Sequence, residues 1–289
     1  MKVFATIVLG ISALAAAGFV IYRSASALGL PFIDDLFPFN AYHYEDSGNY
    51  TPGNATLSTQ IKNIDTDWTT GNVTVLFHDE DTVQVTETSN ITLTDETRLH
   101  WAVEGDTLHI RYIKNGARYR PDMNKALTIT LPRSAEDINA FIDNTTGSVD
   151  VSGGTWNELT LNTTTGKVLI SADTAEDLKA SCTTGLINAG IKSIGTADIH
   201  TTTGNIDLSA DCFESLKVRA TTGHITAALP EAPGFTADLS ATTGKVSCEL
   251  PHLADKDIYT VGDGSKKAKM HATTGNITIV GTADSDSAD

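Results

Sequence analysis

The stretch TTTGKVLI, Thr163 to Ile170, places a glycine two residues ahead of a β-branched residue and directly behind a run of threonines. The same phrase returns as NTTGSVDV from Asn144, CTTGLINA from Cys182, TTTGNIDL from Thr201, ATTGHITA from Ala220, ATTGKVSC from Ala241 and ATTGNITI from Ala272. An earlier copy, WTTGNVTV, starts at Trp68 and has its glycine at Gly71. Such repetition within one chain reflects a unit of structure laid down again and again.

The spacing gives the size of that unit. Gly147, Gly166, Gly185, Gly204 and Gly223 follow one another at 19 residues, and Gly244 and Gly275 come after 21 and 31. The two longer intervals are read as loops inserted after Leu229 and after Leu250. Two places beyond each glycine stand Val149, Val168, Ile187, Ile206, Ile225, Val246 and Ile277. Four places beyond stand Val151, Ile170, Ala189, Leu208, Ala227, Cys248 and Ile279, and five places before it Ile142, Leu161, Ala180, Ile199, Val218, Leu239 and Met270. On each side of the glycine the apolar spacing is two, the period of a strand. Inward positions are odd before the glycine and even after it, so the chain turns there, and a corner favours a residue free to take positive φ. The fold expected is all-β, a single-stranded solenoid of about 19 residues per coil whose corners are Gly71, Gly147, Gly166, Gly185, Gly204, Gly223, Gly244 and Gly275. The threonines suit strands, and their hydroxyls can satisfy backbone groups freed at the bend. One coil alone buries too little to order itself, so stacking is obligatory.

Gly71 is the uncertain member of the row. It precedes Gly147 by four times 19 residues, yet the intermediate places hold Asn90, His109 and Thr128, and the apolar columns fail there. Short strands are expected instead between residues 56 and 133, at NVTVLF, TVQVTE, LHWAV, TLHIRYI and ALTITLP. Asn115-Gly116 reads as a two-residue hairpin turn. Arg111, Lys114, Arg118 and Arg120 around it form the chain's one basic cluster, read either as a solvated hairpin edge or as an anion-contacting patch.

Between Lys2 and Arg23 lie twenty uncharged residues, enough for a helix to cross a bilayer core at about 1.5 Å per residue. Residues 1–23 are therefore expected to be an uncleaved anchor that places the remainder outside the cytoplasmic membrane. The competing reading is a signal peptide cut near Ala27, after Ala25-Ser26-Ala27. Residues 24–55 form a linker or a cap, with Phe32, Ile33, Leu36, Phe37 and Phe39 as its apolar part. Residues 56–133 are the strand region, 134–281 the repeat, and 282–289 a disordered acidic tail.

The formal net charge is −16 over 289 residues, most of it in the repeat, which sets nucleic acid aside. Cys182, Cys212 and Cys248 form no CxxC and indicate no disulfide framework. No nucleophile motif, zinc or calcium motif or nucleotide-binding glycine loop is present, so no catalytic, cofactor or metal residue and no small-molecule substrate is assigned.

A strand region ending in LTITLP, followed by NTTGSVDV and a run of T-T-G-x-[VI]-x-[apolar] units behind a membrane segment, resembles the putative adhesin family of bacterial β-strand-repeat proteins, over about residues 55 to 280. The resemblance implies a bacterial cell-envelope protein of a domain type without assigned function, of the kind found in Lia-type envelope-stress operons. The function expected is a membrane-anchored, non-enzymatic binding or scaffold module, with envelope polymers or membrane proteins of the same operon as partners. A carbohydrate-active β-helix enzyme and an ice-binding threonine ladder are the alternatives.

Overall fold

The computed structural model describes residues 41–44, 49–120 and 122–282. Every regular element within them is a β-strand. No helix among them is long and apolar enough to cross a membrane. The expected anchor, the Phe32 to Phe39 segment and residues 283–289 lie outside the described residues.

The middle of the repeat stacks as its period requires. β9 (Ile138–Thr146) turns at Gly147 into β10 (Val149–Ser152), and β11 (Thr155–Thr203) runs extended through the corners at Gly166 and Gly185. β12 (Ile206–Thr222) joins the corners at Gly204 and Gly223, and β13 (Ile225–Leu229) follows. Neighbouring rungs are parallel and one 19-residue unit out of phase, with Val149 beside Val168, Ile187 beside Ile206 and Ile206 beside Ile225. One coil, Ile206, Leu208, Ala210, Phe213, Leu216, Val218 and Ala220, turns seven buried side chains inward. Their spacing of 2, 2, 3, 3, 2 and 2 marks a second bend around Phe213 that the glycine-centred columns did not reveal. The result is a flattened coil with one sheet before the glycine corner and one after it.

Gly71 belongs to this row. β3 (Asn63–Thr70) and β4 (Val73–His78) lie directly on β9 and β10, with Thr70 opposite Thr146 and Val73 opposite Val149. The Gly71 N–H donates to the Thr146 carbonyl at 2.8 Å. Seventy-six residues of sequence thus cover a single rung in space. The intervening chain extends the two sheets outward, which is why its residues do not follow the columns. β7 (Thr107–Arg111) adds parallel to β3, and β6 (His100–Glu104) pairs antiparallel with β7. On the other sheet β8 (Lys125–Pro132) adds parallel to β4, and β5 (Val83–Ser89) antiparallel to β8. Two short strands, β1 (Thr51–Pro52) on β6 and β2 (Ala55–Leu57) on β5, finish this end. Short edges and a proline suit a terminus that is not to be extended.

The far end departs from the expected stack. β14 (Gly234–Thr243) turns at Gly244 into β15 (Val246–Cys248); a hairpin of β16 (His252–Asp255) and β17 (Ile258–Gly262) follows; β18 (Lys266–Thr274) then turns at Gly275 into β19 (Ile277–Gly281). The last coil in sequence is not last in space. β18 pairs with β12 on one side and β14 on the other, and β19 with β13 and β15. The corners run Gly223, Gly275, Gly244, and the two intervals expected to be loops hold this reordering and the hairpin.

Candidate functional site

The corner row is the most regular surface of the molecule. At each corner the backbone passes so close to its neighbour that a Cβ on Gly185 would lie 1.6 Å from the Gly166 carbonyl oxygen. The glycines therefore leave the floor of a trough bare. Thr70, Thr146, Thr165, Thr184, Thr203, Thr222, Thr274 and Thr243 line one wall, one per rung about 4.8 Å apart. On the other wall stand Asn72, Ser148, Lys167, Leu186 and Asn205. A shallow depression of about 560 Å³ follows this groove from Asn72 to Asn205, and a second of about 330 Å³ continues it past Gly71 to Ser89 and Asn124.

Where a side chain serves the bend it is the inner one, although the equivalent Thr201 hydroxyl, before Gly204, is buried with no hydrogen-bond partner among the described residues. Three residues before the corner, Thr163 Oγ1 donates to the Gly147 carbonyl at 3.2 Å, and Asn144 Nδ2 donates to the Gly71 carbonyl at 3.0 Å. Cys182 holds the same position, buried, with its Sγ 3.6 Å from the Gly166 carbonyl; burial raises its thiol pKa to about 11. The two threonines next to the glycine are thereby left for solvent or a ligand, except at the Gly71 corner, where the Thr70 hydroxyl lies 3.0 Å from that of Tyr119. Cys212 is exposed and Cys248 half-buried, and all three cysteines are free.

The four basic residues do not form one patch. Arg111 is 8% exposed and its guanidinium reaches Asp65 at 2.6 Å. His109 approaches the same carboxylate at 2.8 Å. Arg120 is exposed and held by Asp122 at 2.9 Å. Lys114 and Arg118 are exposed. The hairpin partner of β7 is β6, through Gly105 and Asp106, and Asn115-Gly116 turns against the incoming chain instead. Its Gly116 N–H donates to Tyr42 O at 2.8 Å and its Asn115 N–H to the Tyr44 hydroxyl at 3.1 Å. Arg118 makes an isolated bridge with Ala41.

Two carboxylates stand side by side on the outer face. Asp67 of β3 lies opposite Asp143 of β9. Burial and then the charge of Asp67 push Asp143 up to about 6, and burial raises Asp67 as well. The Tyr42 hydroxyl, itself held protonated by burial, donates to the Asp67 carbonyl at 3.0 Å. A raised carboxyl binds its proton more tightly in the folded chain than in the unfolded one. Its contribution to stability is therefore full at low pH and is lost as pH rises from about 4 to about 6. Asp143→Asn is expected to raise the urea midpoint at pH 7.5 by an amount equal to about 1–2 kcal/mol, after allowance for solvent screening, and to leave it unchanged at pH 3.5. Equal effects at both pH values would contradict this placement. Among the described residues no three His, Cys, Asp or Glu side chains gather to hold a metal ion.

Residues 133–280, just over half of the chain, match the family model described as Toastrack DUF4097. The chain belongs to the Toastrack family. The Toastrack chain is also similar to solved structures of low identity. A putative adhesin from Bacteroides fragilis is 17% identical, with 81% of this chain and 98% of that one covered and a TM-score of 0.46. One from Parabacteroides merdae is 12% identical, covering 83% and 100%, with a TM-score of 0.41. A putative cell adhesion protein from Clostridium sporogenes is 13% identical, covering 79% and 99%, with a TM-score of 0.31. No curated protein matches the sequence.

Sequence reasoning found the threonine ladder, as the basis of the ice-binding alternative, and missed the facing wall, because Asn72, Ser148, Lys167, Leu186 and Asn205 hold to no one residue type.

Proposed function

We propose that this Toastrack chain is a non-enzymatic surface module of the cell envelope, held by its N-terminal segment with the solenoid on the outer side, and that it engages an extended polar polymer along the corner trough. The observation that carries this reading is the unbroken file of eight threonines beside a glycine floor. A linear ligand rich in hydroxyl and amide groups can exchange hydrogen bonds with successive rungs, each weak and together additive. The trough is open along its length, which suits holding a strand rather than enclosing a small substrate. The putative adhesins among its structural relatives agree with a role in attachment. A link to envelope stress rests on the sequence resemblance alone.

Full-length protein in detergent should co-sediment with purified peptidoglycan. Thr184→Arg with Thr203→Arg, which blocks the trough at two adjacent rungs without touching the core, should reduce retention at least about tenfold while leaving the melting midpoint in place. Retention unaffected by the double variant would remove the trough from the reading. The enzyme alternative would draw on the inserts after Leu229 and Leu250, and glycan cleavage lost on replacing one acidic residue of those inserts would establish it in place of the binding module.

A further inference from the structure

The reordered coils bring together cations that the sequence keeps apart. β18 lies between β12 and β14, and on the outer face Lys269 stands directly beside Lys217, and His271 beside Arg219. Lys267 precedes them in the same file of β18, beside Ser215. Had the coils stacked in chain order, the same columns would set Asp238 beside Lys217 and Ser240 beside Arg219. The native order therefore replaces an opposite-charge neighbour with one of like charge, and like charges directly across a ladder are destabilising.

The side chains part along the line where the two strands meet. Lys217 Nζ and an Arg219 guanidinium nitrogen reach Asp198 of β11 at 3.0 and 2.7 Å. On the other side Lys269 Nζ reaches Asp238 of β14 at 2.6 Å, and His271 Nδ1 lies 2.9 Å from the Ser240 hydroxyl. Each of the four leans away from its like neighbour toward a group one strand further out. A seam is left between them, with the β12–β18 ladder as its floor. Exposed Lys267 has no ion-pair partner among the described residues. No carboxylate lies on either strand from Ser215 to Thr221 or from Lys267 to Thr273. The cations recur at every second residue, about 7 Å apart, which gives three successive stations. At the far end the ion pair of Glu214 with Lys266 crosses from β12 to β18. At the near end the seam opens onto the threonines ahead of the Gly223 and Gly275 corners.

We propose that this seam binds the end of a linear phosphodiester polymer, with three successive phosphates lying at Arg219 and His271, at Lys217 and Lys269, and at Lys267. A phosphodiester within a chain turns its two free oxygens to opposite sides, one for each bank, and charge-assisted bonds to phosphate are the strong ones. The ligand supplies the counter-charge that the coil order withholds. The crossing at Glu214 and Lys266 stops the chain, so it enters from the corner side. No Phe, Tyr or Trp lies on either strand between Ser215 and Thr221 or Lys267 and Thr273, so bases would find no stacking platform. The site stands on the sheet face and does not rest on the reading of the trough.

Fluorescence anisotropy of a labelled glycerol phosphate oligomer, titrated with the full-length chain in neutral detergent at low salt, tests the seam. The wild type should bind, and salt at about 0.3 M should weaken binding at least about tenfold. Lys217→Gln with Lys269→Gln should weaken it at least about tenfold, and Lys267→Gln, which breaks no ion pair among the described residues, about threefold with the melting midpoint unchanged. Lys179→Gln with Lys192→Gln removes the same charge from ion pairs on β11 outside the seam, and should leave binding in place. Glycerol 3-phosphate, matched for phosphate, should compete at least about tenfold less well than unlabelled oligomer. Equal competition would show a single-phosphate site, for a lipid headgroup or free phosphate, and overturn the polymer. An oligodeoxynucleotide that binds more tightly than the oligomer would also overturn it. No binding by the wild type, or equal losses in the two lysine pairs, would remove the seam altogether.

Discussion

Gly185→Val is expected to cost about 3–5 kcal/mol and to lower the urea midpoint accordingly. Two effects add. Gly185 has φ of 145°, outside the range a β-branched residue adopts, and the new Cβ would lie 1.6 Å from the Gly166 carbonyl oxygen and 3.1 Å from Cys182 Sγ. The first contact is with the backbone of the neighbouring coil, so relief requires parting two coils. Gly71→Val should be as damaging, because its Cβ would meet the Lys125 carbonyl oxygen at 1.5 Å. Gly105→Asn supplies the control. Gly105 also has positive φ, 62°, but nothing lies within 4 Å of its added Cβ, and asparagine tolerates that conformation. Its midpoint should move by less than about 1 kcal/mol. Similar losses at Gly105 and Gly185 would show that conformation alone, without the close approach, explains the corner.

Lys125→Met should be nearly as costly, about 3–5 kcal/mol, although methionine fills much of the same space. Lys125 is 1% exposed, and its ammonium lies 2.9 Å from Glu87 and donates to the carbonyls of Thr97 and Tyr112. The rings of Trp68 and Tyr112 stand 5.0 and 4.4 Å from it. Removing the cation strands Glu87, whose side chain is 4% exposed and also accepts the Leu99 N–H at 2.8 Å. Neutralising both, as Lys125→Met with Glu87→Gln, should recover a measurable part of the loss, and a double-mutant cycle from urea melts measures it. Simple additivity would show that the pair is not coupled. Burial lowers Lys125 to about 8 from the ordinary 10.5. Between those values the unfolded chain holds more protons, so this group adds stability as pH rises from about 8 to 10.5, and Lys125→Met should lose that rise.

The stacking direction, the corners and three inward columns were legible because each side of the glycine obeys the strand period and seven units agree in phase. The second bend was not, since its inward residues, among them Trp156, Ala175, Ile194 and Phe213, range from indole to methyl. Gly71 could not be placed from its spacing because antiparallel strands fill the interval, and pairing of Asp65 with Arg111 across 46 residues leaves no local trace. Lys125 did leave one. It shares parity with Leu127, Ile129 and Leu131, an inward lysine at the head of a strand. The order of the final coils left none: Leu239 and Met270, Val246 and Ile277, Cys248 and Ile279 satisfy the same columns, so either coil would fit beside Gly223.

That interchangeability bears on how the chain reaches its native state. Residues 234–248 are made before residues 266–281, yet in the finished stack they lie beyond them. A nascent chain that has emerged only as far as Cys248 finds one vacant ladder, the edges of β12 and β13, and the Gly244 coil matches it column for column. The native arrangement requires the later coil to take that place. Completion is therefore not a simple winding from first coil to last: the final thirty or so residues either arrive before the Gly244 coil settles or displace it, and the Asp255 to Ile258 hairpin tethers it close enough to be moved aside.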